Sequence, residues 1–121
     1  MTIPEQMQVI TAELISQNGI HYRISSQELK SMVVSRFGAN PSSIIPSDYC
    51  YNRVNKGITF LKHPRLLAYV GHGIYEFLGE NYPYNEPVFA RPKESKSEVI
   101  VGVWENGIFC PNNNWDSCFL K

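Results

Sequence analysis

Two short apolar stretches around a glycine-flanked histidine constrain this chain more than any other feature. All residues from Leu66 to Val70 and from Ile74 to Leu78 except Glu76 are apolar or aromatic, and Gly71-His72-Gly73 separates the two stretches. Short stretches of this kind bounded by turn residues are typical of strands, and glycine tolerates the positive φ values of a tight turn. The pattern predicts a β-hairpin over residues 66–78, which needs other elements to cover it because an isolated hairpin is barely stable.

Two amphipathic helices are predicted ahead of this hairpin. Apolar residues at helical spacing favour a first helix over residues 5–18, and Asn18-Gly19 ends it. Ser25-Ser26-Gln27-Glu28 has the pattern of a capping box, in which the serine hydroxyl accepts from the third helical amide. A second helix is therefore expected from this box to Gly38, with a brief extended link between the two helices.

A third helix is predicted over Pro46–Lys56, after a single turn at 41–45, and Gly57 ends it. Tyr49, Tyr51 and Val54 can face inward, and the other residues are mostly polar. A helix that gives so few side chains to the core is interpreted as one that contacts a partner.

The remainder of the chain is predicted to be an extension of the preceding domain. Residues 79–98 combine proline, asparagine and mixed charge, which favours an irregular connection. A last hairpin is expected over 99–110, with its turn at Glu105-Asn106-Gly107 and with Trp104 and Phe109 packing it onto the domain. The predicted organisation is thus a domain at 1–80 and an extension at 81–121.

The charge is polarised along the chain although the net charge is zero. Residues 23–65 hold seven basic and two acidic residues, a net charge of +5, whereas residues 66–121 carry −3. Phosphate responds to such a local potential, because salt screens charges beyond about 10 Å. The basic stretch favours a nucleic-acid partner, and an ordinary solvated surface is the alternative.

Several other function classes lack support in the sequence. No apolar run approaches the roughly 18 residues of a membrane span, and the N-terminus lacks the basic start of a secretory signal, so a cytoplasmic protein is expected. The 3 cysteines and 3 histidines do not have metal-ligand spacing, so no metal or other cofactor is expected. Nucleophile-elbow, phosphate-loop and zinc-protease motifs are missing and the carboxylates are dispersed, which predicts a protein that is not an enzyme.

The order of the predicted elements resembles the winged helix-turn-helix family of DNA-binding domains. The residues that carry this resemblance are Tyr51-Asn52-Arg53-Val54-Asn55-Lys56-Gly57-Ile58, Arg65-Leu66-Leu67 and Gly71-His72-Gly73-Ile74-Tyr75-Glu76-Phe77. The resemblance covers residues 5–80. It implies an α+β fold of three helices and a β-hairpin wing, with the small C-terminal hairpin as an extension.

This resemblance implies a non-catalytic module for double-stranded DNA, with the helix at 46–56 in the major groove and the 66–78 hairpin as the wing. Asparagine and arginine suit base edges, and lysine suits phosphate. The candidate DNA-binding residues are Asn52, Arg53, Asn55, Lys56, Lys62, His63, Arg65 and His72.

Two further readings of the function accompany this prediction. Small winged helix modules of this kind are similar to the reader domains of modification-dependent restriction nucleases, and the aromatic residues of the extension are candidates for a pocket that holds a flipped or modified base. The alternative from another class is a protein-interaction or dimerisation module of the same fold within a larger assembly.

Overall fold

The structure, a computed structural model, describes residues 1–54, 63–90, 97–113 and 115. Local signals set the ends of both α-helices; the capped start of α2 and the glycine ends of both were predicted, whereas α1 begins two residues before the predicted start. Helix α1 (Ile3–Asn18) begins at a capping box, in which the Glu5 amide donates to Thr2 Oγ1 at 3.3 Å and the Thr2 amide donates to Glu5 Oε1 at 3.0 Å. Helix α2 (Ser26–Phe37) begins after Ser25, whose hydroxyl accepts from the Glu28 amide at 3.1 Å. Within the described residues, no helix has the length and apolar character needed to cross a membrane.

The predicted 66–78 hairpin is confirmed as part of a first antiparallel sheet. Strands β1 (Arg23–Ser25), β2 (Leu67–Gly71) and β3 (Ile74–Phe77) lie in the order β1-β3-β2. His72 occupies the tip of the hairpin with a φ of 54°. The Ser26 amide donates to Gly73 O at 2.8 Å, so the start of α2 is fixed beside that tip.

The C-terminal part of the described chain forms a second antiparallel sheet. Strands β4 (Pro87–Ala90), β5 (Val99–Glu105) and β6 (Ile108–Pro111) lie in the order β4-β5-β6. The 99–110 hairpin is confirmed, and Asn106 and Gly107 take positive φ at its turn. The prediction of an irregular connection over 79–98 is wrong at β4. In this strand Val88 and Ala90 are buried, and they alternate with residues that are partly exposed.

The prediction of a third helix at 46–56 is wrong over the part of this range that the structure describes. Only Pro46–Tyr49 is helical, as one 3₁₀ turn that follows another at Pro41–Ser43. Cys50 instead forms a parallel bridge with Leu67. The Tyr51 amide donates to Leu67 O at 2.7 Å, so the backbone of this segment bonds to the first sheet and not to itself.

Backbone pairing with both sheets explains why residues 46–54 do not form an α-helix. Ile45, the N-cap residue of the 3₁₀ turn, makes no capping hydrogen bond with its side chain. After the turn, the backbone pairs with β2 at Cys50 and with β4 at Arg53, so its polar groups are not available for helical hydrogen bonds. Tyr49 packs in one core and Tyr51 in a second.

Two hydrophobic clusters meet along this segment. The first joins both α-helices to the first sheet and includes Met7, Leu29, Val33 and Phe77, all fully buried. The second joins residues of both sheets; its members include Tyr51, Val54, Ala68, Leu78, Tyr84, Val88, Val101 and Trp104. The described residues thus form an α+β fold with two separate three-stranded antiparallel sheets. The prediction of a winged helix-turn-helix with a small hairpin extension is wrong.

Candidate ligand-binding cleft

A cleft with a cavity of about 420 Å³ is lined by residues of both sheets and of the segment that joins them. The start of α2 and the tip of the first hairpin also reach it, through Ser26 and Gly73. Its chemically distinctive side chains are three aromatic rings, a hydroxyl, a guanidinium and a carboxylate: Tyr69, Tyr75, Phe89, Ser47, Arg53 and Glu98.

Arg53 connects the two sheets at this cleft. Its backbone forms a parallel bridge with Phe89 of β4. Its guanidinium carbon lies 4.7 Å from the centroid of the Tyr69 ring and 5.8 Å from that of the Phe89 ring. Nη1 of Arg53 is paired with Glu98 Oε1. The stacked rings and the ion pair together fix the plane of the guanidinium.

One buried donor of Arg53, its Nε, has no hydrogen-bond acceptor in the described part of the chain. A buried donor without a partner costs about 1–3 kcal/mol. A ligand with a hydrogen-bond acceptor would offset part of that cost if the Arg53 side chain moved so that Nε could donate to it.

The two tyrosines form a neutral aromatic wall. Tyr69 and Tyr75 are directly opposite each other on β2 and β3, and their ring centroids are 5.3 Å apart. The Tyr69 hydroxyl accepts from the Gly73 amide at 3.2 Å, which orients the ring. Burial raises the pKa of Tyr75 to about 12, so its phenol stays protonated at physiological pH.

Asn52, predicted to contact a base edge, lies where it holds this segment to the first sheet. Its Nδ2 donates to Tyr69 O at 2.9 Å, and its Oδ1 accepts from the Tyr69 amide at 2.8 Å. The side chain thereby substitutes for a strand backbone beside β2 and positions the next residue, Arg53, at the cleft.

Arg65, also predicted to bind DNA, is buried with 7% of its surface exposed. It donates to the carbonyl oxygens of Cys50 at 2.7 Å, of His63 at 3.2 Å and of Asp48. Burial lowers the pKa of Arg65 to about 10, so the side chain remains charged at neutral pH. Its contacts stabilise the 3₁₀ turn and the residues after it.

The other predicted site residues do not gather at the cleft. His63 packs edge-on against Tyr49, and its buried Nδ1 has no hydrogen-bond partner in the described part of the chain. His72 is exposed at the hairpin tip. Asn55, Lys56 and Lys62 lie outside the described residues. Of the five predicted residues that the structure describes, only Arg53 lines this cleft.

The basic stretch at 23–65 is partly neutralised. Arg23 bonds to Glu76, and Arg36 is paired with Glu13 on α1.

Sequence reasoning missed the cleft residues Tyr69, Tyr75, Phe89 and Glu98. The two tyrosines could have been found from the sequence, because their positions on either side of the hairpin turn place them opposite each other on neighbouring strands. Phe89 carried no such signal, because β4 was not predicted. Glu98 directly precedes the predicted 99–110 hairpin, but no pattern in the sequence pairs it with Arg53.

Residues 2–110 match the family model described as a domain of unknown function, DUF7225. The chain is 45% identical over 108 residues to a protein of Bacillus subtilis (strain 168) named "uncharacterized protein YnaC". The match covers 89% of this chain but 38% of the relative, so the chain spans less than half of that protein's length. No solved structure matches the chain. Since the family model covers most of the sequence, the chain belongs to the DUF7225 family.

Proposed function

We propose that this chain is a non-catalytic module for double-stranded DNA that holds one base, turned out of the helix stack, in the cleft around Arg53. The observation that carries the proposal is the set of three aromatic rings around a hydrogen-bonding pair, Arg53 and Glu98. Bases that leave a duplex are held by stacking on aromatic or apolar side chains and by hydrogen bonds to their edges. This proposal replaces major-groove binding by a third helix.

The size and the charge of the cleft support a heterocyclic base as its ligand. Its cavity of about 420 Å³ lies within the range of about 300–1,000 Å³ that small-molecule sites occupy. Arg53 and Glu98 form an ion pair, so their charges cancel and a neutral ligand adds no unpaired charge. The guanidinium lies over the Tyr69 and Phe89 rings, so a base would stack on the guanidinium plane and not directly on those two rings, and a cationic ligand is disfavoured there.

The sequence beside the cleft supports a nucleic acid over a free small molecule. The lining residues Val54 and Ala90 are followed by residues 55–62 and 91–96, which lie outside the described part of the chain. Those two stretches contain five basic residues and one acidic residue. Lysine and arginine that follow lining residues in the sequence favour a polyanionic ligand over an uncharged one.

Fluorescence anisotropy of a labelled duplex tests this proposal. We expect a duplex with one unpaired base to bind at least fivefold more tightly than the fully paired duplex, because less unstacking has to be paid for. Affinity should fall steeply with added salt, as it does when phosphate contacts release counterions. Arg53→Gln should remove the preference for the unpaired base.

Arg36→Gln is the matched control, because Arg36 is likewise ion-paired but lies on α2 outside the cleft. It should bind both duplexes as the parent chain does. Equal affinity of the parent chain for both duplexes, or no binding to either, would contradict the proposed function.

A second candidate function is self-association. Strand β6 lies at an edge of the second sheet, and Ile108 on it is 68% exposed. Exposed edge strands with apolar side chains are templates for pairing with another strand. We propose a second copy of this chain as the partner. Light scattering after size exclusion should then show a dimer that Ile108→Lys dissociates, and a monomer at all concentrations would exclude this candidate.

A further inference from the structure

We propose that a second cleft of this protein binds a primary alkylammonium ion, the chemistry that free amines and lysine side chains share. This second cleft has a cavity of about 450 Å³ and lies between the first sheet and the loop at 82–86 that precedes β4. The volume is within the range of about 300–1,000 Å³ that small-molecule sites occupy. The inference does not depend on the proposed function, because it concerns another cavity and another ligand.

One row of side chains across the first sheet forms a wall of the second cleft. Glu76 on β3 is directly opposite Arg23 on β1 and Ala68 on β2, and all three residues line the cavity. Successive side chains of a strand point to opposite faces of the sheet. This row therefore lies on the opposite face from the neighbouring Tyr69–Tyr75 pair, whose rings belong to the first cleft.

The charged side chains of the second cleft leave a negative charge in excess. Two acidic residues and one basic residue line the cavity. Glu76 Oε1 accepts from Arg23 Nε at 3.0 Å, and Glu76 Oε2 lies 2.9 Å from His21 Nδ1, so both oxygens of this carboxylate have partners. Glu86 is exposed and takes part in none of the ion pairs among the described residues. The excess charge lies at Glu86 and favours a cationic ligand.

The hydroxyl of Tyr84 supplies a hydrogen-bonding group in the same cavity. This residue is 8% exposed, yet within the described residues its hydroxyl has no hydrogen-bond partner and is not sealed from solvent. Burial raises the pKa of Tyr84, and the charges of Glu86 and Glu76 raise it further, so the hydroxyl stays protonated in a negative potential. A hydroxyl oxygen in such a potential is suited to accept from an ammonium N–H.

The aromatic rings of the second cleft also suit an alkylammonium ion. The centroids of Tyr82 and Tyr84 are 6.4 Å apart, and the ring planes are inclined by 58°. Aromatic rings attract cations and pack against alkyl chains. An ammonium group has three N–H donors and no acceptor, which matches a carboxylate and a hydroxyl. An anionic ligand would be repelled by Glu86, and a neutral ligand would gain nothing from its charge.

Nuclear magnetic resonance titration of the isotope-labelled chain with n-butylammonium chloride tests the proposal, and 1-butanol serves as a neutral ligand of nearly equal size. The ionic strength is held constant, and at pH 8 histidine is mostly uncharged. We expect saturable shifts of the Ala68 and Tyr84 amides. n-Butylammonium should bind about fivefold more tightly than 1-butanol, because the ion pair and the cation–π contact both need its charge.

Glu86→Gln should weaken n-butylammonium binding about threefold, because it removes the charge and keeps the size of the side chain. Glu105→Gln is the matched control, since it removes the same charge at an exposed residue outside the cavity, and it should leave the affinity unchanged. Shifts that do not saturate, equal affinity for 1-butanol, or equal losses in the two variants would overturn the proposal.

Two further probes distinguish the sources of the ammonium group. Tighter binding of 1,4-diaminobutane than of Nα-acetyl-lysine methylamide would support a free amine as the ligand, and the reverse order would support a lysine side chain of a partner protein. Saturable binding of neither probe would overturn the proposal, because both carry the group that the second cleft is expected to recognise.

Discussion

Helix α2 and the segment 46–54 carry similar signals in the sequence and adopt different structures. Both are short, contain polar and apolar residues, and start with a residue type that is favoured at helix N-termini. The Ser25 hydroxyl caps α2, whereas no side chain caps the 3₁₀ turn at Pro46–Tyr49. The α2 helix buries one stripe, Leu29 and Val33, but the other segment lies between two cores. The comparison teaches that a capped end predicts a helix well and that a proline start alone does not.

Removing Arg65 should have the largest effect, because it breaks the contacts specific to segment 46–54. We expect Arg65→Ala to lower the free energy of unfolding by about 3 kcal/mol, since it leaves buried carbonyl oxygens without donors. Urea denaturation followed by circular dichroism measures this change. Arg36→Ala, which removes a partly exposed ion pair, should change the free energy by no more than about 0.5 kcal/mol. Equal losses in the two variants would refute the role assigned to Arg65.

Removing the side chain of Asn52 should have the next largest effect. Asn52→Ala loses two hydrogen bonds to the Tyr69 backbone, so we expect a loss of about 2 kcal/mol in urea denaturation. Asn18→Ala serves as the control, because Asn18 makes one bond to a helix carbonyl at an exposed position. A loss for Asn52→Ala no greater than for this control would mean that the segment does not need this contact.

The cap of α2 should matter less than either contact. Ser25→Ala removes the acceptor for the Glu28 amide, and we expect it to destabilise the chain by about 1 kcal/mol. Ser31→Ala changes an exposed serine inside the same helix and should be neutral or slightly stabilising. If both serine variants unfold at the same urea concentration, the cap is not what defines the start of α2.

The smallest effect should come from Glu76 on β3 and should depend on pH. Burial raises the pKa of Glu76, but hydrogen bonds from His21 and Arg23 outweigh burial and hold it below its usual 4.5. A carboxyl group whose pKa is lowered by folding stabilises the folded state at pH values above its pKa in the unfolded chain. This stabilisation is lost as the pH falls through its pKa in the folded state. The difference in unfolding free energy between the parent chain and Glu76→Gln should therefore shrink from pH 6 to pH 3. A constant difference over that range would show that the ion pairs contribute nothing.

Much of the first half of the fold could be predicted because its signals are local. The capping residues, the helix-ending Gly38 and the Gly71-His72-Gly73 turn each act within a few positions of the chain. The environment of residues 46–54 is set instead by Leu67 and Phe89, which are distant in sequence. No window of a single sequence reveals those partners, so the extended segment was predicted to be a helix.

The candidate site was less predictable for the same reason. Arg53 was selected because its chemistry suits a base, and it does line the cleft. Asn52 and Arg65 were selected on the same ground, but they bond to backbone groups of their own chain. Side-chain chemistry alone does not separate a ligand contact from an internal clamp, since both use the same donors. Their hydrogen-bond partners separate them, and those partners lie 15 or more residues away in sequence.

The bond from Trp104 Nε1 to Tyr51 O, at 2.8 Å, has a consequence for how the chain acquires its structure. It closes a loop of more than fifty residues, which costs more chain entropy than the contacts of α2 or of either hairpin. Contacts of such separation form slowly compared with local ones. During synthesis, Tyr51 emerges well before Trp104 exists. We expect the nascent chain to form α1 and α2 first, with the cleft assembling only after β5 has been made.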